Sequence, residues 1–382
     1  MYTLSAYGSM IADRARVEAH AQALRQCIRE GSVVVEVGTG TGVFAVLACQ
    51  LGASRVYAIE ADSIIQLARE VAAANHCEDK IEFIEDLSTR VTLPVRADVL
   101  LSDLRGALPF FGCHIPALCD ARRRFLATDG AMIPRKDTLW VAVVEAPGPY
   151  GEITDPWEHN VFGQDLRPAM RRELNRHHRV RISEEELLTA PQLWATLNYA
   201  TVQSPDIRGE LTWTVERAGT GFGIIVWFEA ELAEGVGFSC GPGSPDGVYG
   251  PLFFPWEQPV TLVAGQTVCV GLETKLIKDN YLWRWTTRVF APGGSGEILF
   301  CFDQSLLNGE ILSPRQLQKT ASDYVPQLSE DGLVDRRIFE LMDGRARLEE
   351  IARKLAVEFP RRFSGWQDAL TAASVISAKY SR

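Results

Sequence analysis

The chain has no run of about 20 consecutive apolar residues, which excludes a helical membrane span. Its first residues, Met1-Tyr2-Thr3-Leu4, show no basic and apolar leader, so no secretory signal is expected. It also lacks a basic surplus: 49 acidic residues face 39 basic ones, for a net charge of −10. That balance argues against broad contact with a phosphate backbone, and neither a nucleic-acid nor a membrane partner is expected. The eight cysteines (27, 49, 77, 113, 119, 240, 269, 301) include no CxxC pair. Several sit in apolar stretches, so they are expected to be reduced core thiols of a cytoplasmic protein, not a disulfide or zinc framework. No metal site is expected. The chain has no internal repeat and no low-complexity segment.

What is present begins at Val33-Val34-Val35-Glu36-Val37-Gly38-Thr39-Gly40-Thr41-Gly42. A β-branched run suits a parallel strand covered on both faces. Glycines then allow positive φ and close backbone approach to a ligand. Val43 to Leu51 follows as an apolar helix whose N-terminus aims N–H groups at that ligand. A second apolar stretch, Arg55 to Ile59, ends in Glu60 and Ala61. An acid at the tip of a second strand suits ribose hydroxyls. Strand, glycine turn, helix and acid together indicate a nucleoside-type cofactor. The Gly-x-Gly-x-Gly spacing with Glu36 upstream differs from the dinucleotide fingerprint. It resembles the first motif of class I S-adenosylmethionine (SAM) methyltransferases, where an acid near the cofactor's amino group is useful.

Residues 10–29 carry helical periodicity. Asp13 and Arg16 share a face, either as a surface ion pair or with Arg16 reaching the carboxylate of an amino-acid-like cofactor. From 33 to about 145, strands at 33–37, 55–59, 81–84, 97–102 and 131–133 alternate with helices at 43–51, 64–75 and 114–126. Asp62 or Ser63 is expected to cap the second of these, and Asn75 to take a left-handed position at its end. This is a doubly wound α/β pattern, in which ligands gather beyond the carboxyl ends of the strands. Glu36 with Gly38, Thr39, Gly40 and Gly42, then Glu60, Leu87-Ser88 and Asp103 should therefore cluster. Asp103 either faces the transferred group or caps a helix. After Pro134 the strands alternate polar and apolar residues with turns between them, which predicts an antiparallel barrel or sandwich. Residues 152–192 interrupt that series, with a polar helical segment at 165–190, as an arm to another subunit or a solvent loop. Residues 303–330 read as a linker. The tail from 333 reads as a small helical module, winged-helix-like.

Across residues 2–302 the chain resembles the protein arginine methyltransferases. Met10-Ile11-Ala12-Asp13-Arg14-Ala15-Arg16 is similar to the family's helix whose arginine binds the SAM carboxylate, and Arg16 falls on that position. Val35 to Gly42 with Glu60 matches the cofactor motif. Ser102-Asp103-Leu104-Arg105-Gly106, running to Gly112, lies over the Ser-Glu-Trp-Met-Gly loop. Pro134 resembles the junction to the β-barrel, and Trp157 to Gly163 the start of the dimerisation arm. The resemblance implies an α/β fold. A Rossmann-like class I methyltransferase domain (1–134) is followed by an antiparallel β-barrel (135–302) with a helical arm at about 152–192, a linker (303–332) and a C-terminal helical module (333–382).

The same resemblance implies SAM as cofactor, S-adenosylhomocysteine (SAH) as product, and a homodimer formed through the arm. The family grips a guanidinium with two glutamates. Here the first position is Asp103 and the second is Gly112, while the Thr-His-Trp loop is matched by Phe254-Pro255-Trp256. His114, two residues past Gly112, is a candidate base or contact, or an incidental residue at a helix start. The expected function is methyl transfer from SAM to a protein, peptide or amino-acid-like acceptor near Asp103. The alternatives are a tailoring methyltransferase or a SAM-binding regulatory protein.

Overall fold

A computed structural model describes residues 2–294 and 296–381. The chain falls into two compact units, Met1–Glu310 and Ile311–Arg382. The first opens with α1 (Leu4–Ala12) and α2 (Arg14–Cys27). The single helix expected over 10–29 is thus broken at Asp13. Its Oδ1 accepts from the Arg16 amide at 3.2 Å, capping α2, and its Oδ2 accepts from the Val248 amide at 2.8 Å. A short acid at a helix start competes with continued helix by bonding the free amides there.

The α/β part runs β1 (Val33–Val37), α3 (Val43–Gln50), β2 (Arg55–Ile59), α4 (Ile65–Ala74), β3 (Ile81–Ile84), β4 (Ala97–Ser102), α5 (His114–Phe125) and β5 (Leu126–Ile133). Its sheet is parallel, in the order β3-β2-β1-β4-β5. The order reverses beside β1, which is where such sheets open a crevice. Val37 pairs with both Ile59 and Ser102, so Gly38, Glu60 and Asp103 leave their strands side by side. The buried faces of β1, β2 and β4 are apolar apart from Glu36 and Ser102 near the carboxyl ends, and their cover of helices explains the Val/Ile/Leu runs. Two local expectations fail at α4. Asp62 accepts from the Ile64 amide, but no side chain caps the helix, and His76 (φ 57°), not Asn75 (φ −108°), takes the left-handed position.

The second part contains β6 (Lys136–Val144), α6 (Pro147–Glu158), α7 (Arg167–Glu173), β7 (His178–Arg179), β8 (Gln192–Asn198), β9 (Ile207–Thr214), β10 (Gly219–Ala233), β11 (Val236–Ser239), β12 (Leu252–Leu262), β13 (Thr267–Ile277), β14 (Asn280–Phe290), β15 (Ile298–Ser305) and α8 (Leu306–Gly309). One antiparallel sheet runs β7-β12-β10-β6-β8 with β11 on β10, and the other β15-β14-β13-β9. They meet over an aromatic core in which Phe254 of β12 packs against Trp283 and Trp285 of β14, each at 5.2 Å between centroids. Phe254-Pro255-Trp256 therefore belongs to a core strand and not to a loop at the ligand cavity. The polar helix expected over 165–190 is α-helical only in α7, with a single 3-10 turn at Glu184–Glu186, because its Arg- and His-rich face has no apolar stripe to bury. His178-Arg179 instead pairs with Leu252-Phe253 at the sheet edge.

The second unit contains α9 (Pro314–Lys319), α10 (Glu330–Leu341), α11 (Leu348–Glu358) and α12 (Trp366–Tyr380). A small core of Val334, Ile338, Ile351, Leu355, Phe363 and Ala369 joins the last three. Among its described residues there is no strand. No helix in the chain is long and apolar enough to cross a membrane, among the described residues.

Candidate functional site

At the carboxyl edge of the parallel sheet lies a cavity of about 560 Å³. The turn after β1 forms its floor. Gly38 (φ 80°) and Gly40 (φ 54°) are both left-handed. A Cβ on Gly38 would meet Leu104 at 2.3 Å, and one on Gly40 would meet the Tyr7 ring at 2.9 Å. Only glycine gives this backbone together with this approach. Thr39 Oγ1 donates to Glu36 Oε2 at 2.6 Å. Burial pushes the Glu36 carboxyl up to about 8, against the opposing Thr39 bond. Glu60 Oε2 accepts from the Gly40 amide and Oε1 from the Asp62 amide, both at 3.0 Å. This acid is thereby held beside the glycine turn, where ribose hydroxyls could meet it. Tyr2, Tyr7 and Met10 bring the N-terminal helix over the same cavity.

The other end is built on Asp103. Its Oδ2 accepts from Arg16 Nε at 2.6 Å, and its Oδ1 accepts from Arg105 Nη1 and the Tyr249 hydroxyl, both at 2.7 Å. Burial works against the Asp103 charge, but Arg16, His20 and Arg105 outweigh it and hold the carboxyl far below the usual range. Arg16 Nη1 donates to the Met10 carbonyl at 3.0 Å. Arg105 is itself clasped by Asp137, through Nε and Nη2 at 2.8 Å each. The Tyr199 hydroxyl donates to Asp137 at 2.7 Å and accepts from His114 Nε2 at 3.0 Å. The result is one buried polar network joining α2, the loop after β4, β6 and the barrel.

The cavity collects Arg16, Glu36, Gly38, Thr39, Gly40, Glu60 and Asp103 of the residues expected from sequence. Gly42 instead starts α3 in the left-handed region, against Ala68. Ala61, Leu87 and Ser88 do not line the cavity. Leu87 is half-exposed, and the Ser88 carbonyl accepts from Arg124. His114 is fully buried behind Tyr199, and burial lowers its imidazole to about 3, so it stands behind the acceptor end rather than in it. From the second part of the unit, Arg179, Val248 and Tyr249 reach the cavity. Sequence reading missed Arg105, Tyr249, Tyr2, Tyr7 and Arg179. For Arg105 a signal existed: a charged residue two places after Asp103 in an apolar loop demands a buried partner.

A cradle that any Cβ would fill, a buried acid aimed into it and a second acid beside it fit an adenosyl group bearing an amino acid. Comparisons with known proteins agree. Residues 19–104 match the family model described as "Ribosomal protein L11 methyltransferase (PrmA)". Over 233 residues the chain is 30% identical to a probable protein arginine N-methyltransferase 6 of Arabidopsis thaliana, covering 59% of this chain and 53% of that one. It is 27% identical over 237 residues to protein arginine N-methyltransferase 6 of Xenopus laevis, covering 59% and 69%. The chain spans about half or less of the first curated relatives it matches. Among solved structures, Arabidopsis thaliana protein arginine methyltransferase 10 superposes with a TM-score of 0.70 at 19% identity, covering 80% of this chain and 98% of that one. The Trypanosoma brucei PRMT1 enzyme-prozyme complex with AdoHcy gives 0.70 at 20% identity, covering 78% and 97%. The chain is thus distantly similar to protein arginine methyltransferases in sequence. It has their fold, a class I methyltransferase domain followed by antiparallel barrel sheets.

Proposed function

We propose that Met1–Glu310 is a SAM-dependent methyltransferase acting on a protein, peptide or amino-acid-like acceptor held near Asp103. One observation carries this: a single cavity is floored by the glycine turn, flanked by Glu36 and Glu60, and closed by Arg16 and Asp103. Arg16 would hold the cofactor's carboxylate, Glu36 its amino group and Glu60 its ribose. When bound, SAM supplies a methyl already activated by a sulfonium. The chain then has to align an acceptor with that methyl and exclude water, which is where most of the rate gain lies for such a displacement. Every curated relative reported above is named as an arginine methyltransferase, so a protein that only binds SAM, or a tailoring enzyme for small metabolites, has less support.

The arm formed by α6 and α7 presents Val161 and Phe162, 92% and 81% exposed, at its tip. We read it as a homodimer contact. The free cysteines suit a cytoplasmic protein. Calorimetry with SAH tests the cofactor assignment: binding supports it, and no binding to the purified chain overturns it. Transfer of labelled methyl from SAM to candidate proteins and peptides tests the activity.

A further inference from the structure

We propose that Arg105 is a built-in guanidinium that closes Asp103 to any external one, and that the acceptor end takes a carboxylate instead. The inference rests on the methyltransferase reading above. Recognition of a guanidinium needs a carboxylate face that can accept two parallel N–H bonds. Asp103 has none to offer. Oδ1 already accepts from Arg105 and Tyr249, Oδ2 from Arg16, and the side chain is 6% exposed. Arg105 cannot readily move aside. It is fully buried and fixed through two bonds to Asp137, and leaving would strand a buried charge.

Charge points the same way. Within the network the two arginines balance Asp103 and Asp137. Arg179 lines the same cavity, donating from Nη2 to the carbonyls of Gly247 at 2.5 Å and Tyr249 at 3.0 Å. It has no carboxylate partner among the described residues. A sulfonium donor adds a further positive charge. Of the other acids that line the cavity, Glu36 and Glu60 are assigned to the cofactor and Asp62 accepts from the Ile64 amide, so beside Asp103 a cationic acceptor would meet Arg179 and the sulfonium, and an anionic one would be attracted. Tyr2, Phe111 and Val248 give the body of the acceptor an apolar rim.

Among the described residues no side chain at this end is placed to take a proton: His114 stands behind Tyr199, His20 is buried behind Asp103, and the Asp103 oxygens are engaged. A carboxylate has no proton to lose. One of its oxygens forms the new C–O bond, the S–C bond of the donor breaks with its electron pair left on sulfur, and a methyl ester and a neutral thioether result.

The test uses the full chain saturated with SAH, titrated calorimetrically with sodium propionate or ethylguanidinium chloride at matched ionic strength. The unaltered chain should give saturable heat with propionate and none with ethylguanidinium. R105M/D137N removes both charges of the clasp together and vacates the Arg105 position on Oδ1, so that beside Tyr249 and Arg16 each Asp103 oxygen keeps one open acceptor position, and it should gain saturable ethylguanidinium binding. Ethylguanidinium binding to the unaltered chain, absence of propionate binding to it, or a folded double variant that ignores ethylguanidinium each overturns the proposal. The first two arms do not depend on the variant folding. Methyl groups carried onto acceptor proteins should be released as methanol by mild alkali, and methylarginine in their hydrolysates overturns the proposal. Failure of SAH to bind would instead overturn the methyltransferase reading itself.

Discussion

Arg16 donates through Nε to Oδ2 of Asp103 at 2.6 Å, tying the first turn of α2 to the end of β4. Both residues line the cavity, so the residue placed to hold the cofactor and the residue placed beside the acceptor are one unit. Their effects on binding and on transfer cannot be separable. The Asp103 carboxylate also carries Arg105, so two buried guanidinium groups depend on one side chain.

Asp103→Ala should therefore damage more than transfer. It leaves two buried guanidinium groups short of a partner, and breaking a buried pair from one side costs about 3–5 kcal/mol. We expect a matching loss in unfolding free energy by urea titration, together with weaker SAH binding by calorimetry. A variant with wild-type stability would show that the network carries little of the fold's energy.

Gly40→Val tests the floor. The position is left-handed at φ 54°, and an added Cβ would lie 2.9 Å from the Tyr7 ring. A β-branched residue is strained there by about 1–3 kcal/mol, and its side chain would displace Tyr7 from above the turn. SAH binding should fall below detection in calorimetry while far-ultraviolet circular dichroism stays folded. Retained affinity would move the cofactor away from this turn.

Much of this was legible in the sequence because local chemistry and tertiary position coincide there. The glycine turn must be glycine for backbone reasons, and the strand registers then bring Gly38, Glu60 and Asp103 together. The acceptor end was not legible. Arg105 and Asp137 lie 32 residues apart, and Tyr249 lies 146 residues from Asp103. Nothing local says which buried charge meets which. The segment Phe254-Pro255-Trp256 falls over the family's Thr-His-Trp loop by resemblance alone, and only the pairing of β12 with β10 shows it to be a core strand. His114 misled because a polar residue at a helix start gives no sign of the Tyr199 hydroxyl that buries it.

The arm yields a prediction about assembly. Val161 and Phe162 are large, adjacent and solvent-exposed at the tip between α6 and α7. Apolar surface of this kind on a protruding arm is what an interface buries. Sedimentation velocity should show self-association that weakens by at least about tenfold in V161D/F162D, since placing two charges in an apolar contact is costly. A chain that sediments as a monomer at all concentrations would remove the arm as a homodimer contact.

Glu36 makes the site responsive to pH. Burial raises its carboxyl to about 8, whereas an unfolded chain would show an ordinary value of about 4.3. Between those values the folded form binds the extra proton. The contribution to stability is therefore complete below about pH 4 and is lost as pH climbs through about 8. The thermal midpoint of the free protein should fall across that window. Binding of an ammonium-bearing cofactor has the opposite sense, because the ionised carboxylate is the form that attracts it. SAH affinity should rise from pH 6 towards about 8, and below that point binding should release a proton. Calorimetry in buffers of different ionisation enthalpy would measure that release directly. Glu36→Gln should abolish both trends. An affinity that stays flat over this range, with no proton released, would show that Glu36 does not face the cofactor's amino group.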